Sequence, residues 1–396
     1  MILGEIRKQF LPEKAAGVCV EHIVNSQEIR EFLKFGWEVY RNNRFWVPPI
    51  IQEAQKFLEG KTLFSKHCEH RIFVAKESGK IVATAAAFYD HNLVKAFGKP
   101  VGMIGFFEAL PDKEAAVKAL FEQTEEFLRE KGAEFVWGPM NGGIANPVGL
   151  LANAYNQKPV FLMMYNHSYY HQYFRRFGYY PIKELIAYSA DLMDGRLHRK
   201  IGFLLNRAKK SDIVIRPLNR KHFKEECVSL SHIYDETFKS HWGYAPQSED
   251  EFYEIISPLK LAIDPDFILF AENEGNPIGF TLVVPDYNPV IKRLNGNFNL
   301  IGSLTFLRLK KKIHEARLIA IGVLPEWRGK RVAALLTAAV YGALIKKGYT
   351  KCEYSWVFRE NISSQNVARK FDDDDYKHYF VYERNLLKDD TKRFLK

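Results

Sequence analysis

The same order of predicted secondary-structure elements occurs twice along this chain of 396 residues. In each half, two strand-like runs joined by a turn precede a third strand, an amphipathic helix, a strand, a short helix and a last strand. The two turns read Glu77-Ser78-Gly79-Lys80 and Asn273-Glu274-Gly275-Asn276, and glycine in such a turn is typical of a β-hairpin. This internal duplication predicts two tandem domains, as does the length, because about 100–200 residues form one domain.

The repeated pattern predicts an α/β fold of the α+β type, with a mixed sheet in each half. In the first half the predicted elements lie at 71–75, 81–89, 101–110, 112–131, 135–137, 169–177 and 186–190. In the second half they lie at 267–271, 278–284, 317–323, 328–347, 352–357, 363–370 and 380–383. The predicted domain organisation is an N-terminal extension (1–21), a first domain (22–195), a linker helix (196–212), a second domain (213–388) and a C-terminal tail (389–396).

The charge and the cysteines restrict the partners and the compartment. A formal net charge of +10 favours acidic partners such as phosphates or an anionic membrane, and nucleic acid is not expected because no recognition motif accompanies the charge. The four cysteines form neither a CxxC pair nor a zinc spacing, and the His67-Cys68-Glu69-His70 run lacks a second ligand pair, so no metal is expected. The first ten residues lack the apolar stretch of a secretion signal. We therefore expect a cytoplasmic protein.

Two basic segments leave a membrane contact open. Residues 196–210 carry six Lys and Arg and no acid, with apolar residues on one helical face, so this helix is either a connector packed at the domain junction or a contact to a membrane or polyanion. Residues 308–312 read Arg-Leu-Lys-Lys-Lys. Both segments are compatible with a peripheral position on the inner face of an anionic membrane.

The sharpest local signal runs from Ile319 to Leu336: a strand, a turn, a basic loop with a glycine, and a helix. The first N–H groups of a helix have no partner within it, and the helix dipole adds partial positive charge there. Such a loop is therefore an anion cradle, to which Arg328, Lys330 and Arg331 add full charges.

At these residues the chain resembles the GNAT superfamily of acyl-CoA-dependent N-acyltransferases. The pyrophosphate loop of that family reads Arg/Gln-x-x-Gly-x-Gly/Ala, and Arg328 and Ala333 match its first and last positions. Arg331 replaces the central glycine, which puts the backbone geometry of the loop in doubt because only glycine adopts positive φ without cost.

The resemblance extends over nearly the whole chain and is closest to a bacterial double-GNAT family. That family includes ceramide synthases, which join a fatty acyl chain to the amine of a sphingoid base. Landmarks in this chain are Gly105-Phe106-Phe107-Glu108, Gly138-Pro139-Met140-Asn141, Tyr165-Asn166-His167-Ser168, Trp242-Gly243 and Pro285-Asp286-Tyr287-Asn288. The first half has no basic loop after its third strand, so it looks like a degenerate copy that shapes the acceptor side.

The resemblance implies a site for the thioester donor, which is acyl-CoA or an acyl carrier protein. The thioester arm would lie between the strands at 321–323 and 354–356, with a free N–H of Gly322 or Val323 polarising its carbonyl. The implied donor-binding residues are Ile321, Gly322, Val323, Arg328, Gly329, Lys330, Arg331, Val332, Ala333, Asn361 and Ser364.

The attacking amine must lose a proton, so a base is needed on the acceptor side. The candidate catalytic residues are His241, Glu251, Asp286, Asn288 and Tyr379. Three interpretations stay open: Asp286 and Asn288 also suit a turn, Glu251 also suits a capping box with Ser248, and Glu108 is a base only if the halves share one cleft. Many relatives use a tyrosine as general acid, but that position falls on Ala368, so Tyr376, Tyr379 or Tyr382 would substitute.

The leading hypothesis is an enzyme that transfers an acyl group from a thioester to a primary amine, preferably a long chain to a sphingoid base. One alternative is acetyl transfer from acetyl-CoA to a small amine or a protein lysine. The other is a non-catalytic acyl-CoA-binding protein, because the central glycine and the tyrosine are absent. The partners expected are the thioester donor and the amine; the membrane surface and the acyl carrier protein remain open.

Overall fold

A computed structural model describes residues 17–208, 212–260, 264–371 and 375–387. The first half contains β1 (Val18–Ile23), α1 (Ser26–Val39), α2 (Ile51–Leu58), β2 (Cys68–Glu77), β3 (Lys80–Asp90), α3 (His91–Phe97), β4 (Val101–Ala109), α4 (Glu114–Glu130), β5 (Phe135–Gly138), β6 (Leu150–Leu151), α5 (Tyr170–Arg176) and β7 (Tyr180–Asp191). The second half contains α6 (Gly195–Ala208), β8 (Ile213–Pro217), α7 (Phe223–Phe238), α8 (Glu249–Ile256), β9 (Ile268–Asn273), β10 (Asn276–Pro285), α9 (Asn288–Arg293), α10 (Leu300–Leu309), β11 (Glu315–Val323), α11 (Val332–Lys346), β12 (Lys351–Phe358), α12 (Ile362–Ala368) and β13 (Asp375–Asn385).

The predicted element order is confirmed in both halves, and the hairpin turns have the expected backbone. Ser78 and Gly79 both have positive φ, and so do Glu274 and Gly275, as the tightest hairpin turns require. The helix predicted at 328–347 was too long at its N-terminal end, because the backbone enters the left-handed region at Gly329 and Arg331 and α11 begins only at Val332.

The strands of the described residues belong to one mixed sheet, in the order β1-β2-β3-β4-β5-β13-β7-β12-β11-β10-β9-β8, with β6 also pairing with β13. The pairs β4–β5 and β11–β12 are parallel, and the other pairs are antiparallel. The last strands of the two halves are exchanged: β13 pairs with β5, and β7 pairs with β12. Backbone hydrogen bonding therefore continues from one half into the other, although the two predicted domains are separate, consecutive segments of the chain.

The basic helix α6 packs with its apolar face on the second half. Leu197 and Ile201 are buried, and Ile201 and Leu205 lie against Gly342 of α11, where a Cβ would meet each of them at 3.6 Å. These contacts favour the connector interpretation. Among the described residues, no helix is both long and apolar enough to cross a membrane.

Candidate functional site

The strands β11 and β12 stop pairing halfway along their length. They pair in parallel from Glu315 to Leu318, opposite 351–354, and no further. A bulge falls at the same point, because Leu282 of β10 lies opposite Ala320 whereas its neighbour Val283 lies opposite Leu318, which leaves Ile319 unpaired. The result is an open slot between the second part of β11 and β12.

The bulge also decides which N–H groups face this slot. The N–H of Leu324 donates to the carbonyl of Ile278 at 3.0 Å, on the β10 side. Because the in-plane direction alternates along a strand, the N–H of Gly322 also points to β10, and those of Ile321 and Val323 point to the slot. Of the two N–H groups predicted from the sequence, the alternation favours Val323 over Gly322, and it adds Ile321.

Packing against β10 explains why residue 322 is a glycine. A Cβ at this position would lie 2.2 Å from the Phe280 ring, closer than van der Waals contact allows. The glycine therefore lets β10 and β11 keep their register beside a buried aromatic side chain.

The basic loop before α11 has the backbone of an anion cradle. Arg331 adopts φ of 67° and serves as the N-cap of α11, and no side chain of the described residues hydrogen-bonds at this cap. The first N–H groups of the helix, including those of Val332 and Ala333, are therefore free to bind a ligand. Gly329 has φ of 78° and open space around its Cα. Arg331 thus supplies the left-handed conformation in place of the expected glycine, at a cost of roughly 1–2 kcal/mol.

The side chains of the loop are exposed, and two of them have anchors. The Arg328 guanidinium donates to the carbonyl of Thr237 at the end of α7, at 3.1 Å, and the Lys330 ammonium lies 4.3 Å from the centre of the Trp327 ring. Asn361 caps α12, where its side-chain oxygen accepts from the N–H of Ser364 at 3.0 Å.

The slot opens into a cavity of about 1090 Å³ between the two halves. Its wall is mainly apolar and aromatic and comes from both halves; examples are Phe32, Trp46, Phe64, Phe106, Phe238 and Ile321. Asn361 and Ser364 also line it. The condition on which Glu108 depended, one cleft shared by both halves, is therefore met.

His241 lies in the cavity wall next to the slot. Its ring is 6.3 Å from that of Phe358, at the end of β12. Burial, followed by the charge of Arg328, lowers the pKa of His241 from 6.5, so the imidazole is neutral at neutral pH. A neutral imidazole in the cavity wall can accept a proton from an amine.

Glu251 is part of a buried cluster that the sequence did not reveal. The N–H of Glu251 donates to the Ser248 hydroxyl at 3.2 Å, which is one of the two hydrogen bonds of a capping box. Its carboxylate, however, is buried and lies 3.1 Å from Nε2 of His67, while Nδ1 of His67 lies 2.8 Å from Asp90. Glu251 is therefore not an ordinary surface residue of its helix.

This cluster, His67, Asp90 and Glu251, lines the cavity. Burial alone would lower the pKa of His67, but the hydrogen bond that its imidazole donates to Asp90 and the negative charges of Asp90 and Glu251 raise it. Burial raises the pKa of Glu251. The cluster places two carboxyl groups against one imidazole, an arrangement that favours a cation. No group of three or more His, Cys, Asp and Glu within the described ranges is arranged to hold a metal.

Glu108 also reaches the cavity, from β4. It accepts a hydrogen bond from the Tyr170 hydroxyl at 2.6 Å, and desolvation raises its pKa to about 7. The strands β4 and β5 pair only as far as Met103, so the first half contains a corresponding slot. Here, however, the N–H of Phe106 donates to the side chain of Asn141 at 2.7 Å, which fills that slot with the chain itself.

The helix after this filled slot does not suit an anion either. Glu114 is the first residue of α4, and no basic residue stands in its first turn. An acidic side chain complements the helix dipole and repels a phosphate. The interpretation of the first half as a degenerate copy is consistent with both features.

Asp286 and Asn288 hold the two halves together. Asp286 accepts hydrogen bonds from the N–H groups of Phe161 at 2.9 Å and Asn288 at 3.2 Å, and Asn288 donates to the carbonyl of Pro159 at 2.9 Å. Burial raises the pKa of Asp286 to about 6. These contacts favour the turn interpretation and extend it, since the turn anchors a segment of the first half.

The three tyrosines considered as general acids are not among the described residues that line the cavity. Tyr379 is fully buried, and its hydroxyl has no hydrogen-bond partner among the described residues. The Tyr376 hydroxyl donates to Glu353, and that of Tyr382 lies 2.7 Å from His171. The contacts give none of them a place beside the thioester.

The run of four aspartates at 372–375 falls mostly outside the described residues. Only Asp375 is described, and it pairs with Arg359 at 2.7 Å. Ala368 is buried at the end of α12.

A family model described as "Acetyltransferase (GNAT) family" matches residues 227–372. Protein YghO of Escherichia coli (strain K12) is 28% identical over 373 residues, which are 93% of this chain and 95% of that protein. A bacterial ceramide synthase of Caulobacter vibrioides (strain NA1000 / CB15N) is 28% identical over 379 residues, which are 94% of this chain and 98% of that protein.

A solved structure has the same tandem architecture. The tandem GNAT protein from the clavulanic acid biosynthesis pathway, solved without AcCoA, aligns with a TM-score of 0.54 at 11% identity, over 94% of this chain and 100% of that chain. At this identity the likeness is one of fold alone.

Proposed function

We propose that this chain, whose residues 227–372 match the GNAT family model, is an acyltransferase that transfers a long acyl chain from an acyl thioester to the primary amine of a sphingoid base. The donor is acyl-CoA or an acyl carrier protein. The similarity to a ceramide synthase over 94% of the chain supports this substrate class, and so does the cavity.

The cavity is the observation that carries the proposal. Its volume of about 1090 Å³ lies just above the usual range of small-molecule sites, which is roughly 300–1,000 Å³. An acetyl group would leave most of this apolar space empty, whereas two aliphatic chains would remove apolar surface from water at about 25 cal/mol per Å². The aromatic wall from both halves therefore suits a lipid acceptor beside a lipid donor.

The residues of the slot and the loop would divide the reaction as follows. The loop 328–331 and the first turn of α11 bind the pyrophosphate, or the single phosphate of a carrier-protein arm. The N–H of Ile321 donates to the thioester carbonyl and stabilises the negative charge that develops on its oxygen. Val323, one pleat closer to the loop, offers its N–H to the arm itself.

His241 would move the proton. The ammonium group first releases one proton to water. The neutral nitrogen then attacks the carbonyl carbon, a C–N bond forms, and His241 accepts the second proton that the nitrogen gives up. When the C–S bond breaks, the imidazolium returns this proton to the sulfur, so that an amide and a thiol leave. The cluster of His67, Asp90 and Glu251 supplies the negative charge that draws an ammonium group into an otherwise apolar cavity.

The chain-length preference of thiol release tests this proposal. We expect kcat/KM with a sphingoid base to be at least about tenfold higher for palmitoyl-CoA than for acetyl-CoA, because one buried methylene is already worth roughly tenfold. Palmitoyl-loaded acyl carrier protein is measured in parallel, and a lysine peptide and a small polyamine serve as control acceptors. A preference for acetyl-CoA with either control would instead establish the acetyltransferase alternative.

A further inference from the structure

The helix α10 carries large apolar side chains on its outer face. Ile301, Leu304 and Leu307 are 74%, 62% and 45% exposed, and their spacing of three places them along one side of the helix. The opposite side is anchored, since the ring of Phe306 lies 5.0 Å from that of Tyr287. A helix normally turns its apolar stripe to the core, so this outer stripe needs another explanation.

The stripe leads to the mouth of the cavity. Leu307 is both exposed and part of the cavity wall, and so is Ile255 of α8, which is 45% exposed. Ser303 and Phe306 of α10 line the cavity as well. An amphiphile that entered along α10 would therefore keep its hydrocarbon on apolar side chains from the surface to the interior.

A basic cluster follows the stripe directly. Arg308, Lys311 and Lys312 are exposed and stand just after the last large apolar residue of the stripe. The apolar stripe and the adjoining cations are complementary to an anionic bilayer. The stripe can insert among the acyl chains, and the cations can pair with the headgroups.

This surface lies at the opposite end of β11 from the anion loop. The cluster precedes the first residue of β11, and the loop follows its last residue, nine residues or roughly 30 Å away. In agreement, Nδ1 of His314 lies 3.0 Å from the carbonyl of Gly348, just beyond the C-terminal end of α11, whereas the loop precedes its N-terminal end. An acyl carrier protein whose arm passes the anion loop would dock at the loop end of β11. The surface formed by α10 and residues 308–312 would then be available to the acceptor.

We propose that α10 and residues 308–312 form an interfacial docking surface that inserts Ile301, Leu304 and Leu307 into an anionic membrane and receives the amphiphilic amine from it. The delivery of the amine rests on the proposed function. The binding to the membrane does not, and it is measured without any substrate.

Co-sedimentation with vesicles tests the docking surface. The full chain should bind vesicles of phosphatidylglycerol mixed with phosphatidylcholine, should bind phosphatidylcholine alone much less, and should be released by salt. The double variant Lys311→Glu, Lys312→Glu should bind the anionic vesicles at least about tenfold more weakly, since each Lys near an anionic surface is worth roughly fivefold. The variant Ile301→Asp, Leu304→Asp should lose binding to a similar degree.

Matched controls exist on the first half. Val24 is 71% exposed, so Val24→Asp removes a comparable exposed aliphatic side chain, and Lys80→Glu with Lys95→Glu reverses two exposed charges. Both controls should bind vesicles like the parent. Equal binding by the parent and the α10 variants, or no binding by the parent, would overturn the proposal. So would variants that lose affinity for an acidic acyl carrier protein while their vesicle binding is unchanged. Absence of acyl transfer with normal vesicle binding would contradict only the proposed function.

Discussion

Reversing the charges of the anion loop, with Arg328→Glu, Lys330→Glu and Arg331→Glu together, is expected to weaken binding of palmitoyl-CoA by at least about 100-fold. Hydrogen bonds to charged groups are worth roughly 1.5–3 kcal/mol each, and every 1.4 kcal/mol changes Kd about tenfold. In addition, three carboxylates at the N-terminus of α11 would repel the pyrophosphate that we propose binds to the free N–H groups there. The Kd is measured by calorimetry at low and high salt.

The control reverses three exposed lysines of the first half, Lys34, Lys80 and Lys95, and should leave Kd nearly unchanged. A second variant, Arg331→Gly, separates charge from conformation, because glycine adopts the φ of 67° without strain. It should cost at most about tenfold in affinity, the share of one charge. Unchanged binding by the triple variant would show that the thioester does not bind at this loop.

Replacing His241 by asparagine should lower kcat by about 10²–10⁴, the usual contribution of a positioned general base, and leave the Kd of the thioester unchanged. Because burial and Arg328 hold the pKa of His241 below 6.5, the neutral, active form persists at neutral pH. Activity should fall only as the pH drops through this lowered pKa. The variant should lack that acidic limb of the kcat profile.

His232 provides the matched control for this substitution. It lies on α7, is 68% exposed and pairs with Glu249 at the surface, so His232→Asn should keep both kcat and its pH profile. Full activity of His241→Asn, combined with a large loss in Glu251→Gln, would transfer the role of the base to the buried cluster.

The local parts of the fold were predictable because they depend on short patterns. A hairpin is specified by its turn residues, and the element order around the anion loop follows from periodicity and from one glycine-containing segment. The exchange of β7 and β13 was not predictable. Both strands mix apolar and charged residues and follow a short helix, and nothing in their own sequence specifies that β13 pairs with β5 rather than with β12.

The residues of the candidate site also differ in whether the sequence could predict them. The anion loop was found from contiguous residues, and the structure removes the doubt about Arg331 by showing that it adopts the left-handed conformation itself. That also removes one of the two reasons for the non-catalytic alternative. His67 was missed because its partner Glu251 is 184 residues away, and it was considered only together with its neighbours in the chain. A histidine that bridges two distant carboxylates has no local signal.

Glu251 shows how a local pattern can be half right. The Ser248 hydroxyl accepts from the N–H of Glu251, but the Glu251 carboxylate, which would accept from the N–H of Ser248 in a full capping box, lies against His67 instead. That partner belongs to the first half of the chain, so a pattern of four residues could not reveal it.

Mass spectrometry of the product tests the central claim most directly. The purified chain is incubated with palmitoyl-CoA, or palmitoyl-loaded acyl carrier protein, and a sphingoid base. The account predicts an N-palmitoyl amide in equal amount to the thiol released, with a yield that falls in both the loop variant and His241→Asn. Release of thiol with free palmitate and no amide, or acetylation as the only amide-forming reaction, would contradict it.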